Sequence, residues 1–217
     1  MSKDTPLISR LVDSDFNSLP FTAAHSVLSI PPKIGFIKNI AVMPGLGEDI
    51  QVQTAIKIWE SDARFSHLFV AGTNANEKLQ PQLTLDRLQQ EPYLLRRLEG
   101  VFTQVEAEHT RAQTDWLVEQ LQSQDVESLV VCVSHWHMTR AYMTLIKSMQ
   151  FAGIRIPVIP YVIATSPEQI IPEVGQSVQS LSAGEAMRII KYSAIGQISS
   201  PEELADYLRW LWSSYLV

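Results

Sequence analysis

An α/β architecture, a mostly parallel sheet flanked by helices on both faces, is what this sequence predicts. Three observations point there. Short apolar runs alternate with segments of helical periodicity. The best strand candidates, NIAVM (39–43) and SLVVCV (128–133), run apolar after their first residue rather than alternating, as strands buried on both faces do. The stretches between strands have the length of crossover helices, about ten to fifteen residues.

The elements run in order along the chain. Residues 1–38 show no clear period; a short helix is expected around Leu7–Asp13, and Pro20, Pro31 and Pro32 break the stretch after it. Residues 1–38 therefore read as a wrapping extension ahead of one domain over residues 39–217. After the first strand and the turn PGLGED, Val52, Ala55, Ile56 and Trp59 share one helix face. HLFVA (67–71) is the second strand, stopped by Gly72-Thr73-Asn74, and a polar segment of weak helical character runs to Gly100. Val101–Val105 is a third strand candidate, and Thr110, Gln113, Leu117 and Leu121 line one face of the next helix. SLVVCV is the clearest buried strand. After it come a helix with Met138, Ala141, Leu145 and Met149 on one face, then IPVIPYVI (156–163), whose two prolines place it near an edge. Helices over Ser182–Tyr192 and Ser200–Tyr215 close the chain; Ser200 and Glu203 make a capping box with Pro201 at the first helical position.

Composition narrows the function. The chain has 217 residues, 46% of them hydrophobic, which suits a single globular core. A net charge of −6 with no basic block argues against gripping nucleic acid. The single Cys132 rules out an internal disulfide framework and a cysteine-cluster metal site. No apolar run reaches the roughly 18 residues needed to span a bilayer, and the first residues carry charges where a secretory apolar region would lie. A soluble, cytoplasmic protein without membrane contact is expected.

In parallel sheets ligands bind at the strand-to-helix turns, beyond the C-terminal strand ends. The first turn offers Gly45 and Gly47 before a helix, either a loop for a bound anion or a tight turn whose acids suit the helix dipole. The second offers Gly72 and Thr73. At the third, Thr110 and Gln113 lie on the sheet-facing stripe, so they line a pocket at the strand ends or Thr110 only caps the helix. The fourth, Ser134-His135-Trp136-His137-Met138-Thr139-Arg140, is richest. Ser134 can cap the helix, and His137 near a helix N-terminus is biased toward neutrality, as suits a base. Arg140 can clamp a carboxylate or phosphate. His135-x-His137 is a known ligand spacing with His109 or Glu108 as a third partner, but two histidines around a turn need not converge, so no metal is expected. The nucleophile-elbow glycines are absent around Ser134.

These segments resemble a known family. VSHWHMTRA (133–141) is similar to the VTSxxHMxRA signature of the DUF218 family, also called YdcF-like or SanA/ElyC-like; IAVMPGLGED with TAIKIW, HLFVAG and EAEHTRAQ agree in order and spacing. The match covers about residues 39–163. It implies a Rossmann-like α/β fold with a cleft built from these turns, and carries Gly45, Gly72, Thr110, Ser134, His137, Arg140 and Ala141 onto matching positions. The chain departs where Gln51 stands for the usual Arg, Gln104 for the usual acid, and His109 and Gln113 for the usual Asn residues, which implies a divergent soluble member with a different ligand.

The function expected is binding of a small anionic or nucleotide-type ligand in that cleft. Gly45, Gly47, Gly72, Thr73, Thr110, Gln113, Ser134, His135 and Arg140 would contribute to binding, with His137 and His109 as acid and base. A nucleotide or an S-adenosyl-type compound are the cofactor classes considered. The alternative is a non-catalytic sensing or regulatory protein. A third reading is a homodimer through the C-terminal helix, where Trp210 and Trp212 cannot share a face: either one of them is exposed for a dimer contact or both tuck against the domain.

Overall fold

A computed structural model of the chain describes residues 19–31, 38–45, 48–72, 82–107 and 109–215. The order is α1 (Leu19–Leu28), β1 (Ile40–Pro44), α2 (Asp49–Ser61), β2 (Phe65–Ala71), α3 (Leu85–Leu88), β3 (Val101–Gln104), α4 (Thr110–Ser123), β4 (Ser128–Ser134), α5 (His135–Phe151), β5 (Val158–Ile163), β6 (Ile170–Ile171), β7 (Gln176–Ser177), α6 (Val178–Ala194) and α7 (Pro201–Tyr215). The expected α/β class is observed: five strands form one all-parallel sheet, ordered β3-β2-β1-β4-β5, flanked by helices. β1 and β4 are buried at every position, which explains their unbroken apolar sequences.

The chain moves outward from β1 to β3, returns to β4 and then goes out to β5. Right-handed crossovers therefore put α2 on one face of the sheet and α4 with α5 on the other. Both β1 and β4 lead into helices at the same sheet edge, where the reversal opens a crevice. Gln113 spans that edge: its Nε2 donates to Pro44 O at 3.0 Å and to Ala71 O at 3.3 Å. The sheet-facing stripe of α4 thus aims Gln113 at the strand ends, as its spacing implies.

Three local expectations are corrected. Residues 19–28 are helix rather than a broken extension, and Ala23, Val27 and Ile30 belong to the main core. Pro20 sits in the first helical turn, where no backbone N–H is needed. The last two helices are preceded by an unexpected antiparallel pair, β6 with β7, and α6 begins at Val178 rather than Ser182. By contrast, Ser200 and Glu203 form the full capping box, each backbone N–H bonded to the other's side chain, and the proline-notched β5 is an edge strand. The helix expected around Leu7–Asp13 lies outside the described residues. Among the described residues no helix is long and apolar enough to cross a membrane.

Gly100 illustrates a backbone constraint at the start of β3. Its φ is +83°, and a Cβ there would stand 2.2 Å from Ser66 O. Gly153 has a φ of +68° with open space around it. Gly100→Ala should lose about 2 kcal/mol or more in denaturant unfolding, and Gly153→Ala only about 1 kcal/mol. Equal losses would show that the close approach at Ser66 does not matter.

Candidate functional site

A cavity of about 460 Å³ opens between the start of α4, the first turns of α5 and one stripe of α6. α4 contributes His109, Thr110 and Arg111; α5 contributes Trp136, His137, Arg140 and Thr144; α6 contributes Leu181, Glu185, Arg188 and Tyr192. Its centre is a buried carboxylate. Glu185 is 3% exposed and sits on the apolar stripe of α6 with Val178, Leu181 and Ile189. Its Oε2 meets His137 Nδ1 at 3.0 Å and accepts from Arg140 Nε; its Oε1 accepts from Arg140 Nη2 at 3.2 Å and Arg188 Nη1 at 2.7 Å. Arg140 Nη1 also donates to Thr110 Oγ1 at 3.3 Å.

This packing sets the electrostatics. Burial first, and the Arg140 guanidinium second, hold His137 below its ordinary value of 6.5, against the pull of Glu185. His137 is therefore neutral at pH 7, as its place near a helix start implies, but the dominant cause is burial. Burial alone would raise the Glu185 carboxyl; the His137 and Arg140 contacts outweigh it and hold that carboxyl well below its ordinary 4.5. The shorter contact of His137 Nδ1 is to a carboxylate oxygen, so the ring proton belongs on Nδ1, donating to Glu185. That leaves Nε2 as an acceptor, and it makes no hydrogen bond to the described residues.

His109 reaches the opposite tautomer. It is the N-cap of α4, and its Nδ1 accepts from Ala112 N at 3.1 Å. An accepting Nδ1 leaves the ring proton on Nε2, a donor. One cavity thus holds an imidazole acceptor, buried, and an imidazole donor, exposed.

A second buried carboxylate stands beside this cluster, held by neutral donors. Glu48 is 2% exposed, and its Oε1 accepts from Gln51 Nε2 at 2.8 Å and from Trp136 Nε1 at 3.0 Å. Gln51 thereby serves the interior rather than a ligand, although its Oε1 has no partner among the described residues. Gln104 is committed to a local turn: its Oε1 accepts from the N–H groups of Glu106 and Ala107.

The structure brings His109, Thr110, His137 and Arg140 together on the cavity. Ser134 is the N-cap of α5, but its hydroxyl makes no capping bond and is buried without a partner among the described residues. Gln113 is committed to the two backbone carbonyls. Gly45 and Gly72 lie at the ends of β1 and β2 and do not line the cavity. His135, two positions before buried His137 on α5, points to solvent, since such neighbours lie on different faces of a helix. Gly47, Thr73 and Glu108 lie outside the described residues. Among the described residues no group of three His, Cys, Asp or Glu is placed to hold a metal ion. On α7, Trp212 is exposed while Trp210 packs against Tyr207 and Arg155.

Sequence reasoning missed Glu185, Arg188, Arg111 and Tyr192. The one usable signal was Glu185 itself, a charge on the apolar stripe of a helix. No family model matches this chain, and no curated protein matches it significantly.

Two depressed ionisations at this site contribute to the response to acid, alongside others such as that of His67. The unfolded chain protonates His137 near 6.5 while the folded one resists, so its contribution is present above 6.5 and lost as pH falls below it. Glu185 behaves likewise below 4.5. Stability should therefore decline in two stages on acidification. His137→Gln should flatten the first stage relative to the unmodified chain; parallel curves between pH 7 and pH 5 would refute the assigned neutrality.

Proposed function

We propose that this chain is a DUF218-like protein that binds a small anionic ligand in the cavity between α4, α5 and α6. The observation that carries this reading is charge. In a chain of net charge −6, this cavity is lined by three arginines, of which Arg111 is paired with Asp115 while Arg140 and Arg188 share the one carboxylate of Glu185. Arg188 is the accessible member, its side chain 47% exposed with only Nη1 committed to Glu185. Thr110 adds a hydroxyl, and the planar guanidinium forks suit a carboxylate or phosphate.

Proton abstraction from the bound ligand falls to the buried imidazole. His137 Nε2 accepts a proton while Glu185 steadies the imidazolium that forms, and His109 Nε2–H offers the ligand a hydrogen bond. Arg140 positions Glu185 rather than meeting the ligand first. The order of segments from VSHWHMTRA back to IAVMPGLGED supports the family resemblance, and the buried bond of Gln51 to Glu48 and the local turn closed by Gln104 support a ligand unlike that of chains carrying charges there. A role inside the cytoplasm is part of the same reading.

Arg188 is the residue to remove, because its exposure lets the fold tolerate the change. Arg188→Ala should weaken acetate or inorganic phosphate binding about tenfold, the effect of losing one charge-assisted contact. Titration calorimetry at low and high salt reads the change, and the affinity of the unmodified chain should fall with salt. Unaltered affinity in Arg188→Ala would remove the anion site.

A further inference from the structure

The charge of the cavity can be counted residue by residue. Arg111 is closed onto Asp115, with Nε 2.8 Å from both carboxylate oxygens, and brings no net charge. Arg140 and Arg188 share the single carboxylate of Glu185. Among the lining residues, two guanidiniums against one carboxylate leave a single positive charge; the buried Glu48 lies behind Trp136 and does not line the cavity. The donors not committed to Glu185 are those of Arg188, at the rim, and Arg140 Nη1, whose contact with Thr110 is long.

Beside this charge lies an apolar wall that the main core does not include. Ile171, Val178 and Leu181 form a separate small cluster, and Trp136 and Val174 pack on it only partly buried. Trp136, Val174 and Leu181 line the cavity. The one polar atom of the indole is turned away to Glu48, so Trp136 presents ring surface. The wall is also close to the charge. Leu181 precedes Glu185 by one helical turn, and the Trp136 ring centroid is 5.2 Å from that of His137, which touches Glu185. Apolar surface facing a cavity favours an apolar occupant over water.

Building on the anion-binding reading, we infer that the ligand is an amphipathic monoanion. One carboxylate or singly charged phosphate ester sits at Arg188, with Arg140 behind it holding Glu185 and offering only Nη1. An aryl or branched alkyl group, attached within a bond or two of the anion, lies against Trp136, Val174 and Leu181. A volume of about 460 Å³ suits such a molecule. Polyphosphate nucleotides carry several charges that this cavity does not neutralise.

Calorimetric titration of the full chain tests this with acetate, inorganic phosphate, phenylacetate, methyl phenyl phosphate and ATP. At least one aryl monoanion should bind about tenfold tighter than acetate or more, and the comparison of the two aryl probes tells carboxylate from phosphate ester. Trp136→Ala should bring the aryl probes down to the level of acetate. Val174→Ser, at a partly exposed position where the fold tolerates polarity, should do the same in part. Equal binding of acetate and the aryl probes, still dependent on Arg188, would overturn the amphipathic ligand and leave the anion site standing. ATP as the tightest ligand would overturn the monoanion. Binding of none of the five would overturn both readings.

Discussion

Glu185 is a carboxylate with almost no contact with water, and such a group is stable only when charged or hydrogen-bonded partners replace the water it has lost. Here His137 and Arg140 come from α5 and Arg188 from α6 itself. The carboxylate therefore does more than pair. It locks α6 against α5, it sets which nitrogen of His137 carries the proton, and it holds the Arg140 side chain in one rotamer. The cavity exists because α6 is held at this distance, with Glu185 on its otherwise apolar stripe meeting the start of α5. Removing one partner from a buried pair of this kind typically costs about 3–5 kcal/mol, so the site and the helix packing stand or fall together.

Glu48 offers the contrast. It is as deeply buried, yet its hydrogen-bond partners are the neutral Nε2 of Gln51 and the indole N–H of Trp136. Those bonds orient the indole rather than balance a charge. They fix Trp136 in the place where the small cluster of Ile171, Val178 and Leu181 needs it. Asp49 N donates to Glu173 Oε1, which ties the β6–β7 connection to the start of α2. One glutamate thus organises the polar end of the cavity and the other its apolar end.

How far the sequence can be read depends on how local each signal is. β4 is legible because the five residues LVVCV are apolar without a break, and the Ser200–Glu203 box is legible because both partners lie within one turn. Helix α1 is hidden by Pro20, a breaker inside a helix but neutral in its first turn. The two-residue strands β6 and β7 are shorter than any periodicity can register. At the site, Thr110, His137 and Arg140 can be named from the turns that carry them. Their organiser cannot: Glu185 lies 48 positions beyond His137, and only tertiary packing brings α6 over α5. The orientation of Gln113 is readable from its stripe, but its two acceptors, Pro44 O and Ala71 O, belong to strands far away in sequence.

The two imidazoles show how such packing assigns chemical roles without any special residue type. His109 and His137 both stand at the start of helices that come after sheet strands. At His109 the backbone N–H of Ala112 takes the lone pair of Nδ1, because an N-terminal helical turn has donors with no internal partner. At His137 the acceptor Glu185 takes the proton of Nδ1. The same ring atom is thus an acceptor in one case and a donor in the other, and the free nitrogens take opposite characters in consequence. An N-cap and a buried carboxylate are both ordinary structural devices. Placed on one cavity, they leave one imidazole with a hydrogen-bond acceptor nitrogen and the other with a hydrogen-bond donor nitrogen.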